Sequence, residues 1–248
     1  MNKIFNYQAL AKVEKKKIFF DFQFSIFNKL KFLLKRPRVI VITGNSRQTA
    51  KEAIFQLLKP YFKMEKDSNP PKDGSSRFAG SPRVPTTLPP KGRAPILILE
   101  LEEEKVKDLT FYLKNSKKAV LVITPGVKEM ASFAKKLPPK TNLIFNFDFD
   151  NEIIRELKDM TGLNTLTFGF QEGADLRVTD INLNQETNFK INYQGNIVPV
   201  WLGGILGKEQ IYDTLAAASC GTILDLNLVQ ISQALKNYYS LPEKRTTN

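Results

Sequence analysis

Residues 39 to 54, VIVITGNSRQTAKEAI, carry the types and spacing closest to phosphate chemistry. An apolar run ends at Thr43, Gly44 opens a turn, and a helical pattern follows from Thr49. That is the layout of a phosphate-binding loop, in which backbone N–H groups cradle phosphates at a helix N-terminus. The full pattern is G-x-x-x-x-G-K-[ST]: its lysine meets the outer phosphates and its hydroxyl meets Mg²⁺. Here Gly44 is followed by Asn45, Ser46, Arg47, Gln48 and Thr49. Arg47 and Gln48 fall where the second glycine and the lysine belong. Gln48 brings no charge, and Arg47 brings one from a displaced position. Thr49 keeps the hydroxyl, and the helix N-terminus keeps a general preference for anions.

The chain contains no histidine. This excludes histidine-based triads, histidine metal sites and the usual near-neutral general base. The remaining ligand types, carboxylates and carbonyls, favour Mg²⁺ or Ca²⁺ over zinc. The single cysteine, Cys220, cannot form an intramolecular disulfide. It lies in the apolar run LAAASCGTIL and reads as a buried structural thiol, compatible with a reducing cytoplasm.

With 37 basic and 25 acidic residues the net charge is +12. Up to Arg38 there are ten basic residues and two acidic ones, Glu14 and Asp21, so most of the excess is local. Such an arm suits an anionic lipid surface or an acidic partner, and no nucleic-acid-binding motif accompanies it. Within residues 15–36, Phe19, Phe22, Ile26, Leu30 and Leu33 recur at helical spacing. The stretch is too interrupted by charge to span a bilayer and lacks a signal-peptide cleavage site. It reads as a helix packed on the domain or a partner, or as one lying on a membrane surface.

The elements that must hold the loop follow in order. Pro37 ends the arm, and RVIVIT has the continuous β-branched character of a strand covered on both faces. Residues 65–95, rich in Pro, Gly and Ser, form a long loop. PILILEL, KAVLVIT and TNLIFNF are strands, each followed by a helical pattern, which implies a doubly wound α/β sheet. TLTFGF, LRVTDINLN, NFKINYQG and NIVPVWL alternate and read as an antiparallel meander, an added small antiparallel sheet. Two helices, KEQIYDTLAAASCGTIL and LNLVQISQALKNYY, close the chain. The organisation is an arm over 1–37, one domain over 38–240 and a polar tail over 241–248.

At this point the chain resembles the Mur ligases, and among them the UDP-N-acetylmuramoyl-tripeptide–D-alanyl-D-alanine ligases. VIVITGNSRQTAKEAI is similar to their ITGSxGKTxTKEAI, with a loop one residue shorter. LTFGFQEGADLRVTDI is similar to TFGxxxxADxRAxDI, matching at Phe168, Gly169, Ala174, Asp175, Arg177 and Asp180. GKEQIYDTLAAAS is similar to GxHNxxNALAAxA, FNFDFD to NADD through Asn146 and Asp148, and Gly80 to Pro82 to a substrate-loop G-x-P. The resemblance spans about residues 30–240.

It implies a mostly parallel sheet of P-loop type, the central domain of a three-domain ligase. It implies ATP and Mg²⁺ as cofactors, with Gly44, Asn45, Ser46, Arg47, Gln48, Thr49, Asn146, Glu209, Gln210 and Asp213 as vestigial nucleotide contacts. Glu209 and Gln210 replace an adenine-contacting His-Asn pair, and Asp213 replaces a later asparagine. Thr49 and Glu100 stand at the family's metal positions, although Glu100 also reads as a strand-end acid without a metal. The family's metal-binding histidine has no counterpart. Its carbamylated lysine falls at Met130, with Lys128 out of register. The departures gather on residues that would touch ATP or metal. The resulting expectation is a largely non-catalytic cytoplasmic domain linked to peptidoglycan precursor synthesis, beside a full-length Mur ligase or another cell-wall synthesis protein. The alternatives are an ATP-dependent ligase, whole or split, joining D-Ala-D-Ala to UDP-muramoyl-tripeptide, and a membrane-surface protein using the arm.

Overall fold

The computed structural model describes residues 29–30, 32–65, 94–100, 106–127, 134–149, 151–160, 162–184, 186–203, 207–236 and 238. Most of the arm and of the 65–95 loop, Lys128, Met130 and the 241–248 tail lie outside them.

Thirteen named elements occur among the described residues. In chain order they are β1 (Arg38–Thr43), α1 (Arg47–Leu58), β2 (Ile96–Glu100), α2 (Val106–Asn115), β3 (Lys118–Ile123), β4 (Asn142–Asn146) and α3 (Asn151–Lys158). Then come β5 (Asn164–Gly169), β6 (Leu176–Asn182), β7 (Asn188–Tyr193), β8 (Asn196–Trp201), α4 (Lys208–Ile223) and α5 (Leu228–Leu235). The strands form one eight-stranded sheet in the order β2-β1-β3-β4-β5-β6-β7-β8. Pairing is parallel from β2 to β6 and antiparallel from β6 to β8.

The apolar run of β1 serves both faces of this sheet. Ile40 and Ile42 pack with Ile54 and Leu57 of α1 and Leu215 of α4. Val39 and Val41 face the other way, against Leu113 of α2, Leu157 of α3 and Phe32. Full burial of each such side chain contributes about 1.5–3 kcal/mol, so a half-polar strand would not hold this central position. On the α1 side, Ala216 to Ala218 keep α4 slim where the helices meet. A Cβ on Gly221 would touch Leu57 and Ile231 at 3.1 Å. Asn227 and Gln230 form a reciprocal capping box at the start of α5.

Three sequence expectations change. TLTFGF belongs to the parallel half and not to the meander: β5 pairs in parallel with β4 along five residues, and its last four residues are buried. The meander is also not a separate sheet. β6 starts where β5 ends, pairing only through Phe168↔Leu176 and Gly169↔Arg177, and runs on past it. Finally, where the arm enters the described residues, Phe32 is the buried side chain, set edge-on to Tyr112. Leu30 and Leu33 of the apolar stripe face outward.

The β7–β8 hairpin turns through Gln194 and Gly195, both at positive φ (49° and 77°), which matches the twist of its strands. β8 is one of the two edge strands of the sheet, with Pro199 within it and Trp201 half-exposed at its end. Ser232 of α5 donates to the Pro199 carbonyl at 2.5 Å and covers part of that edge.

Candidate functional site

The C-terminal ends of the parallel strands share one rim. The order β2-β1-β3 puts the topological switch between β1 and β3, the place where open α/β sheets part to admit ligands. Here the two loops close on each other. The backbone N–H and the hydroxyl of Thr124 both donate to the Thr43 carbonyl, each at 2.9 Å. The Asn45 N–H donates to Pro125 O at 2.7 Å. Gly44 has φ +104°, and a Cβ there would overlap the Thr124 carbonyl. Asn45 lies over Gly126, where a Cβ would overlap its side-chain amide.

Two of the loop side chains turn back onto loop carbonyls. Arg47 Nη1 donates to the Gly44 carbonyl at 3.1 Å. Thr49 Oγ1 donates to Ser46 O at 3.1 Å, and Ser46 offers α1 no side-chain cap. Gln48 is exposed. One turn on, the buried Lys51 reaches across to the end of β2, where its ammonium meets Glu100 Oε1 at 2.7 Å. Parallel registry of Ile42 with Glu100 brings that carboxylate beside the loop. This pair is not legible in the sequence, because its partners lie on different elements.

The far half of the rim is built around Asp148. Its Oδ2 accepts from Phe170 N at 2.7 Å and from the Tyr212 hydroxyl at 2.8 Å. Its Oδ1 accepts from Gln171 N at 2.9 Å. Gly169 makes room, since a Cβ there would stand 2.5 Å from Oδ1. Asn146 Oδ1 accepts from Asp148 N at 2.8 Å. Burial, and then the bond to Asp148, push the Tyr212 hydroxyl well up, against an opposite pull from Asn146. Beyond that influence, Asn146 Nδ2 is buried with no hydrogen-bond partner. Phe170 packs edge-on to Tyr212 at 4.7 Å, Phe149 lies 5.7 Å from it, and Lys208 Nζ sits 4.9 Å over the Phe170 ring.

The three α4 positions separate. Glu209 is exposed on the first turn. Gln210 has a buried, unpaired Oε1. Asp213 is only 6% exposed and lies in the core. There burial, then Asp213 and Glu52, push the Tyr238 hydroxyl up. Asn146, Asp148 and Tyr212 therefore stand together, and Asp213 points away from them into the α1–α4 layer. Sequence reasoning missed Tyr212, Phe170 and Lys208; an aromatic one turn into α4 was the available signal. Asp175, part of the family pattern, acts locally: its Oδ2 accepts from both the N–H and the hydroxyl of Thr167, at 2.7 and 2.6 Å. The described residues hold no group of three or more His, Cys, Asp or Glu side chains arranged for a metal ion. No helix among them is long and apolar enough to cross a membrane.

No family model matches the chain. The UDP-N-acetylmuramate–L-alanine ligase of Persephonella marina is 33% identical over 109 residues, 43% of this chain and 22% of the relative. The MurF ligase of Thermotoga maritima, solved in complex with ADP, superposes with a TM-score of 0.62 at 20% identity, over 86% of this chain and 51% of that one. A pseudomurein peptide ligase type C from Methanothermus fervidus gives 0.57 at 17% identity, over 88% and 52%. The chain thus spans about half the length of these solved ligases and about a fifth of the sequence relative. At such identities the structures establish the fold, and the chain has the fold of the Mur ligase central domain.

Proposed function

We propose that this chain is a Mur-ligase-like central domain that is non-catalytic by itself and serves peptidoglycan precursor synthesis in the cytoplasm as a binding or scaffold subunit. The observation that carries the reading is the Lys51–Glu100 ion pair. The carboxylate at the family's metal position already has a cation, and that cation is a side chain. As arranged, the rim does not fit a magnesium–nucleotide complex. Arg47 and Thr49 are turned onto loop carbonyls, and the Gly44 turn is packed against Thr124. Phosphoryl transfer depends on positioned cations, and losing one such group commonly costs about 3 kcal/mol of barrier. The partner in this reading is a full-length Mur ligase or another cell-wall synthesis protein. Isothermal titration with Mg²⁺-ATP tests it. No saturable heat is expected, and micromolar binding would refute it.

A second reading is an ATP-dependent ligase, whole or as part of a split one. It draws on the buried polar atoms Asn146 Nδ2 and Gln210 Oε1, at positions that the family resemblance assigns to nucleotide contact. Its test is phosphate release from ATP with UDP-muramoyl-tripeptide and D-Ala-D-Ala, with and without cell lysate.

A further inference from the structure

A cavity of about 620 Å³ opens at the end of the sheet opposite the candidate site, against the first residues of β3, β4 and β5. Five lysines line it: Lys114, Lys117, Lys118, Lys136 and Lys140. No carboxylate and no aromatic ring does. Lys118 is committed elsewhere, donating to the Ile223 carbonyl and lying 3.4 Å from Asp225. The other four have no ion-pair partner among the described residues. The neighbouring Lys135, outside the lining, does find one, Glu156 at 2.9 Å.

A solvated lysine surface normally spreads its charges over a convex face. Here four of the five, Lys114, Lys117, Lys136 and Lys140, are exposed around a concavity whose walls are tied down. Thr141 Oγ1 donates to Pro138 O at 2.7 Å, and Lys140 N donates to Gly162 O at 2.7 Å. Asn142 Nδ2 donates to Ala119 O at 2.8 Å. Lys140 is held at φ +66°, a conformation that side-chain-bearing residues adopt at a cost and that clusters at functional sites. Lys114 has a local reason for its place, since it complements the C-terminal dipole of α2. Lys117, Lys136 and Lys140 have none. Like charges gathered with a single counter-charge among the described residues, Asp225 beside Lys118, oppose folding in a chain that is already strongly basic, and a bound anion would relieve them.

We propose that this cavity binds a small anion carrying two or more phosphate groups. Its volume lies in the range of small-ligand pockets. Ammonium groups act as point charges on phosphate oxygens, whereas planar bidentate recognition would call for arginine, which is missing from the lining. The lack of an aromatic platform argues against single-stranded nucleic acid. The phosphate source is either a free phosphorylated metabolite or a lipid headgroup.

The test titrates the full chain with inorganic triphosphate at low salt, by calorimetry and by amide chemical shifts. Binding should saturate, shift amides in 114–119 and 138–142, and weaken as salt is added. The Lys117→Gln/Lys136→Gln/Lys140→Gln variant, checked for a melting temperature no lower than the parent's, should bind about tenfold or more weakly, because three charges of the lining are gone. Lys190→Gln, on β7 and paired with Asp180, should bind as the parent does. Vesicles containing anionic phospholipid, run in parallel, separate the sources. Vesicle binding that the triple variant also loses assigns a lipid headgroup, and triphosphate binding alone assigns a free metabolite. The proposal is overturned by an absence of saturable triphosphate binding, by equal binding in the triple variant, by shifts confined to residues 44–49, or by tighter binding of an acidic peptide than of triphosphate.

Discussion

Lys51 Nζ lies 2.7 Å from Glu100 Oε1, bridging α1 to the end of β2 with both side chains mostly withdrawn from solvent. Removing one partner strands the other charge. Lys51→Met and Glu100→Gln should each destabilise by about 2 kcal/mol, below the range for fully buried pairs because Glu100 keeps some exposure. The double variant should lose less than the sum of the two, as a urea-unfolding cycle would measure. Added Mg²⁺ should leave the melting temperature of the parent protein unchanged.

Gly44→Ala meets two penalties, a positive φ and the Thr124 carbonyl. It should cost about 3 kcal/mol or prevent folding. Gly195→Ala carries only the first, since nothing lies within 4 Å of its site. It should cost about 1 kcal/mol. Thermal denaturation of the two variants side by side reads the difference.

Restoring a G-x-x-G-K-T loop between Thr43 and Ala50 should not bring back nucleotide binding. The rebuilt lysine would still face a turn packed on Thr124 and a Glu100 held by Lys51. Calorimetry with Mg²⁺-ATP gives the answer, and recovered micromolar affinity would place the defect in the loop alone.

Burial raises the Cys220 thiol above its ordinary 9.0, and raises the hydroxyls of Tyr61, Tyr193, Tyr212 and Tyr238 above 10.0. Above those values the unfolded chain sheds protons that the folded chain keeps. Stability should therefore be fully present below about pH 9 and fall as pH rises further. Lys59, lowered by burial, works against this trend below its ordinary 10.5. The urea midpoint followed from about pH 8 to 10.5 should decline, and less steeply in Tyr238→Phe.

Local pattern made the frame legible. The β-branched run of β1, the glycine turn and the periodicity of α1 could be read directly, because each depends on neighbours in the chain. The Gln194-Gly195 turn is legible for the same reason. What depends on packing was not. TLTFGF alternates like a meander strand, and only its place beside β4 makes it parallel. Leu30 and Leu33 match a helical stripe, yet Phe32 is the residue that finds a pocket, against Phe111 and Tyr112. In the site, Asp148 could be named from its pattern, but its role as a hub for Phe170, Gln171 and Tyr212 required three segments to meet. Lys51 reads in sequence as an ordinary helix lysine, and its partner is 49 positions away.

Trp201, half-exposed at the end of the edge strand β8, is the only tryptophan in the chain. The protein therefore carries a built-in optical reporter at a single known address. Its fluorescence should be red-shifted and open to quenching by iodide while the domain is free. A blue shift or loss of quenching on mixing with another macromolecule would signal that this margin of the sheet has been covered, with no label attached.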